Sequence, residues 1–103
     1  MGIVGIAWIE IPTLPTPKCL EIGWRFGKAF WGNGYATEAA KEVLRYAIEE
    51  LGVNELYSIT SIHNLPSINV MKKIGLRERH ELNFLHPRVE EGSPLRPHVV
   101  YSL

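Results

Sequence analysis

Between residues 35 and 51 the apolar positions are Ala36, Ala39, Ala40, Val43, Leu44, Ala47, Ile48 and Leu51. Steps of three and four set them on one side of an α-helix. Glu38 stands in the first turn, where the helix dipole favours a negative charge, and Gly52 supplies a stop. Upstream the pattern changes. Residues 3–11 are β-branched and aromatic and predict a strand, which Pro12, Pro15 and Pro17 end in a loop over 12–18. Residues 19–26 predict a second strand, with Gly23 marking either a bulge or a close backbone approach. A loop over 27–34 leads into the helix, and residues 53–62 predict a third strand. Strand, helix and strand in succession imply a right-handed parallel crossover. Asn64 can cap a second helix that has Pro66 in its first turn and Gly75 at its end. Residues 77–85 and 98–103 predict two more strands, joined by a long, proline-marked loop.

Composition narrows the class. The chain has 103 residues, 46% of them hydrophobic, which fits one small domain with a packed core rather than disorder. Formal net charge is zero, and Lys and Arg are scattered among acids, so the basic stripe of a nucleic-acid binder is missing. The lone Cys19 excludes an intramolecular disulfide and fits a reducing, cytoplasmic setting. His63, His80, His86 and His98 show no HExxH-type spacing, so no metal is expected. The apolar run over residues 2–9 is too short to cross a bilayer and lacks the basic front of a signal peptide.

The stretch "FWGNGYATEAAKEVL" places Gly32 and Gly34 directly before the first helix. Glycine permits positive φ and removes the side chain, so free N–H groups at the helix start could cradle a phosphate. A tight turn ahead of a helix explains the bare pattern equally well. A P-loop reading is weakened because no lysine follows Gly34, and a dinucleotide loop because Thr37 stands where its third glycine belongs.

More of the sequence can be read together. The strand "EIGW", the stretch "WGNGYATEA" and the segment "HNLPSINVMKKIGL" follow in one order and spacing. In this they resemble the GNAT superfamily of acetyl-CoA-dependent N-acetyltransferases, and more narrowly the RimJ/RimL-like branch. The resemblance runs from about residue 5 to residue 103. The family loop is often written [QR]xxGxG/A; here Ala29 stands at the Gln/Arg position, which puts one side-chain contact in doubt.

The resemblance implies an α/β (α+β) GNAT-type fold. Its sheet would be mixed and mostly antiparallel, with a central parallel crossover and a V-shaped splay. The chain would be the C-terminal two-thirds of that fold, without the N-terminal strand and two helices. The implied activity is transfer of an acetyl group from acetyl-CoA to a primary amine by direct attack. A small-molecule amine or a protein N-terminus, such as that of a ribosomal protein, would accept it. The alternative is a catalytically inactive module that binds coenzyme A or a protein partner. No nucleic acid or membrane is expected as a partner. The unprotected edge of the first strand predicts a homodimer.

Residue by residue, the family pattern puts the coenzyme A pyrophosphate on the amides of Gly32, Asn33, Gly34, Tyr35, Ala36 and Thr37, with Trp31 on the cofactor too or, like Trp24, plain core. It puts the pantetheine arm beside Trp24, Arg25 and Phe26, with Asn64 and Ser67 also on the cofactor. Ser67 would bond the departing sulfur, or serve only in capping the helix. Glu21 is the candidate base, or a surface or ion-paired carboxylate. Cys19 is expected to be a small apolar filler.

Overall fold

The computed structural model describes residues 2–15, 18–26 and 34–103, with the backbone alone at residues 2, 3 and 26. Strand β1 (Gly2–Glu10) runs antiparallel to β2 (Lys18–Phe26), in unbroken register from Gly2↔Phe26 to Glu10↔Lys18. Gly23 is therefore no bulge; it faces Gly5 across the ladder. Helix α1 (Tyr35–Glu49) follows, and then β3 (Tyr57–Ser61), which pairs parallel to β2 as the strand-helix-strand order predicts. After helix α2 (Leu65–Lys73), the short strands β4 (Arg77–Glu78) and β5 (Phe84–Leu85) both pair antiparallel with β6 (Pro97–Ser102). β6 also pairs antiparallel with β3, and the strand order is β1-β2-β3-β6-β4. The sheet is mixed and mostly antiparallel, with one parallel pair.

The period of two along the strands sorts side chains onto the two faces. Leu20, Ile22 and Trp24 of β2, with Val4 and Ile6 of β1, pack toward α1, whose Ala36, Ala40 and Leu44 are buried there. Ile68, Val70 and Met71 of α2 belong to the same core. Cys19, Tyr57 and Val100 form a second cluster with Ile11 and Leu82, and Cys19 is the apolar filler expected. No helix among the described residues is long and apolar enough to cross a membrane.

Three differences from the sequence expectation exceed a one-residue shift at a strand end. α1 stops at Glu49, two residues short of Leu51, and Gly52 at φ 68° lets the Val53 N–H reach back to the Ala47 carbonyl at 3.0 Å. Residues 53–56 are not strand. β6 ends at Ser102 opposite Tyr57, and β2 meets β3 only at Tyr57; before it a single bond, from the Leu103 N–H to the Leu56 carbonyl at 3.3 Å, extends the ladder no further. The strand expected over 77–85 is broken by a single 3-10 turn, His80–Leu82, that buries Leu82. Asn83 then presents its Oδ1 to the Val100 N–H at 3.0 Å, so a side chain takes the ladder bond at the break.

Candidate active site

β2 and β3 touch at one register pair, Glu21↔Tyr57, and then part. Beyond it, Ile22 to Phe26 and Ser58 to Ser61 have no partner in each other. Parallel strands normally exchange backbone bonds at alternate residues. Here the Ile59 N–H donates to Oε2 of Glu21 at 3.3 Å instead. The carboxylate closes the apex of the opening. Burial raises the Glu21 pKa above the ordinary carboxylate value, and the Ile59 N–H offsets part of that rise.

The opening is a cleft of about 540 Å³. Gly23 and Arg25 form one wall, Ser58 and Thr60 the other, and Asn64 and Ser67 stand at the start of α2. The Gly5–Gly23 pair and Ala7 keep one side bare. A Cβ at Gly23 would meet only the Glu21 carboxylate, at 3.7 Å and 3.9 Å, so no protein backbone makes the close approach that glycine could have served. Its bareness widens the cleft instead.

A second cleft of about 550 Å³ is lined by Trp8, Lys18, Phe84, His86 and Arg88. Glu21 and Ile59 line both clefts. The carboxylate at the apex is thus shared by two spaces, either of which can hold a small molecule.

At the start of α2, Oδ1 of Asn64 accepts the Ser67 N–H at 3.3 Å. Asn64 is the cap. Ser67 takes part through its backbone alone, and its hydroxyl has no hydrogen-bond partner among the described residues although the residue is 8% exposed. Capping therefore does not account for the Ser67 side chain.

At the start of α1, Gly34 holds φ 80° and no side chain caps the helix. The first helical bond runs from the Glu38 N–H to the Gly34 carbonyl at 2.9 Å, which leaves the N–H groups of Ala36 and Thr37 without an acceptor inside the helix. Ala36 is buried in the core, so only its backbone can meet a ligand. A Cβ on Gly34 would meet nothing within 4 Å among the described residues.

Of the residues singled out from the sequence, Glu21, Trp24, Arg25, Asn64 and Ser67 line one cleft. Gly34, Tyr35, Ala36 and Thr37 form the start of α1. Phe26 ends β2, but its side chain lies outside the described residues, as do Trp31, Gly32 and Asn33. Sequence reasoning missed Gly5, Ala7, Ser58 and Thr60. The small residues Gly5 and Ala7 at a period of two were the available signal, and only the register with Gly23 gives it meaning.

The chain is similar to known proteins in sequence and in fold. The chain is 40% identical to the FsC-acetyl coenzyme A-N(2)-transacetylase of Aspergillus fumigatus over 98 residues, 82% of this chain and 41% of that one. It spans well under half the length of this curated relative. The structure of a GNAT-family acetyltransferase from Bacillus anthracis superposes with a TM-score of 0.73 at 26% identity, covering 98% of this chain and 57% of that chain. Mycobacterium smegmatis RimJ in complex with CoA-disulfide shares the fold, with a TM-score of 0.68 at 23% identity over 82% of this chain and 39% of that chain. The family model for the acetyltransferase (GNAT) domain matches residues 1–77, which span the parting of β2 from β3 and the starts of both helices, and the chain belongs to that family.

Proposed function

We propose that this chain forms a single domain that transfers an acetyl group from acetyl-CoA to a primary amine by direct attack, in the manner of the RimJ/RimL-like branch. The single observation that carries this reading is the Glu21 carboxylate, shared by two clefts at the apex of the parted strands. In this reading the thioester enters between β2 and β3, and the amine enters from the second cleft.

The residues divide the work. The N–H groups at the start of α1, around Gly34 to Thr37, hold the pyrophosphate at the positive end of the helix, with Trp31, Gly32 and Asn33 leading into them. Trp24, Arg25 and Phe26 flank the pantetheine arm, whose amides find the unpaired backbone of β2 and β3, and Asn64 borders it. Bound there, acetyl-CoA supplies a thioester carbonyl carbon open to attack. Glu21 takes a proton from the incoming ammonium, directly or through one water, so that a neutral nitrogen forms the new C–N bond. Its raised pKa suits a base working near neutral pH. As the C–S bond breaks, the proton that the attacking nitrogen loses passes to the leaving sulfur through the Ser67 hydroxyl, so coenzyme A departs as the thiol.

The edge of the sheet supports an assembly. β1 pairs only with β2 among the described residues, and Trp8 on it is 67% exposed. An open edge of this kind favours pairing with a second copy. Incubating the chain with acetyl-CoA and a panel of free amines, while following thiol release, tests the reaction. Acetylated amine formed in proportion to thiol is expected. Coenzyme A binding without any acetyl transfer would instead favour an inactive binding module.

A further inference from the structure

The second cleft contains a histidine whose protonation state is set by the backbone. The His86 N–H donates to the Arg96 carbonyl at 2.8 Å, and the His86 carbonyl accepts the Val89 N–H at 3.1 Å, so the main chain at His86 is held on both sides. The ring is held as well. The Arg88 backbone N–H donates to Nδ1 of His86 at 3.1 Å. A backbone N–H can only donate, so Nδ1 keeps its lone pair and the neutral ring carries its proton on Nε2. The neighbouring His98 is the reverse case. Its Nδ1 lies 3.0 Å from the Arg96 carbonyl, which can only accept, so that ring carries its proton on Nδ1. The two rings stand 4.8 Å apart, centroid to centroid, with Phe84 stacked on His98 at 5.7 Å.

Protonating His86 would break the bond from the Arg88 N–H and set a charge beside Arg88 and His98. Burial lowers the His86 pKa first, and His98 and Arg88 lower it further. The other charged groups lining this cleft are Lys18 and the acids Glu10 and Glu21. His86 is thus built as a neutral donor, not as a base. Lys18 and Arg88 add donors to the same cleft, and neither side chain has a hydrogen-bond or ion-pair partner among the described residues.

We propose that His86 is a specificity-determining residue of the acceptor cleft: its Nε2–H donates to an oxygen carried beside the reacting amine, so that amines bearing a carbonyl or carboxylate are preferred over plain alkylamines and polyamines. This rests on the proposal that the acceptor enters the second cleft. The amine end belongs at Glu21, and the donors His86, Lys18 and Arg88 call for oxygen acceptors on the rest of the molecule. A polyamine would bring further cations toward Lys18 and Arg88, with only Glu10 and Glu21 to offset them.

The test uses the full chain with two probes of like shape, alaninamide and sec-butylamine; in the second a methylene replaces the carbonyl and a methyl replaces the amide nitrogen. Nitrogen-15 NMR of labelled histidine reads the ring without any need for turnover. At pH 8, where the ring is neutral, His86 should show a proton on Nε2 and none on Nδ1. In the chain saturated with coenzyme A, alaninamide should shift the Nε2 signal and sec-butylamine should not. In acetyl transfer, His86→Phe should lower the ratio of kcat/KM for alaninamide to that for sec-butylamine about tenfold, as losing one hydrogen bond to substrate does. His86→Gln, which keeps an N–H donor, should recover most of the ratio. A proton on Nδ1, equal shifts with both probes, or an unchanged ratio in His86→Phe would overturn the proposal. A chain that transfers no acetyl group to any amine would sink the proposed reaction, while the NMR result would still decide the role of His86.

Discussion

Gly34→Val is the most informative perturbation of the nucleotide end of the site. Gly34 holds φ 80°, and a β-branched residue is strained there by about 1–2 kcal/mol or more. Among the described residues a Cβ at this position meets nothing within 4 Å, so the stability loss should come chiefly from the backbone conformation. Gly34→Asn provides the scale, because asparagine tolerates the left-handed region far better. The same backbone sets the direction of the Ala36 and Thr37 N–H groups, the proposed phosphate donors. A hydrogen bond to a charged group contributes about 1.5–3 kcal/mol, so losing one weakens binding about ten- to a hundredfold. Calorimetric titration with coenzyme A reads the affinity, and urea unfolding reads the stability. The account expects both to fall for valine and to fall much less for asparagine. A folded Gly34→Val chain with unchanged affinity would show that the phosphates bind elsewhere.

Other variants separate the remaining roles. Ser67→Ala should lower kcat roughly tenfold or more, with little change in the Michaelis constant for acetyl-CoA and little loss of thermal stability, because the Asn64 cap uses only the Ser67 backbone; full activity would remove its hydroxyl from the reaction. Glu21→Gln should lower kcat/KM by about 10²- to 10⁴-fold, and unchanged turnover would exclude a base role. It should also change stability with a definite sign. Burial raises the folded pKa of Glu21, so its stabilising share is present below the unfolded glutamate value and is lost as pH rises through the folded one. The melting temperature of Glu21→Gln relative to the parent should therefore rise from acid toward neutral pH, and a flat difference would contradict the assigned burial. Light scattering at micromolar concentration should show a homodimer, and a well-dispersed monomer would remove the proposed edge pairing.

How far the sequence spoke depended on the range of the interaction. α1 was legible because its determinants are local: the apolar spacing from Ala36 to Ala47 and a glycine past its end. The Asn64 cap was legible for the same reason. The extent of β3 was not. Residues 53–56 look strand-like, but a strand needs a continuous ladder, and apart from the one bond at the Leu56 carbonyl the pairing begins at Tyr57. The break at His80–Leu82 was hidden because its cause is the Asn83 side chain meeting β6, seventeen residues away. Within the site, Ser67 was named by resemblance to the family and Glu21 by its position on the strand, but their surroundings were not. The Glu21 bond to the Ile59 N–H, the bare Gly5–Gly23 wall and the donor state of His86 all depend on strand register or on main-chain groups that no residue pattern encodes.

The central claim is that coenzyme A lies between the parted strands with its phosphates at the start of α1. Amide NMR during a titration of the labelled chain with coenzyme A addresses it most directly. The account predicts saturable shifts at Ala36 and Thr37, at Gly23 to Arg25 of β2 and at Ser58 to Thr60 of β3, with α2 responding near Ser67. Saturable shifts confined to other surfaces, or no shifts at millimolar ligand, would contradict it.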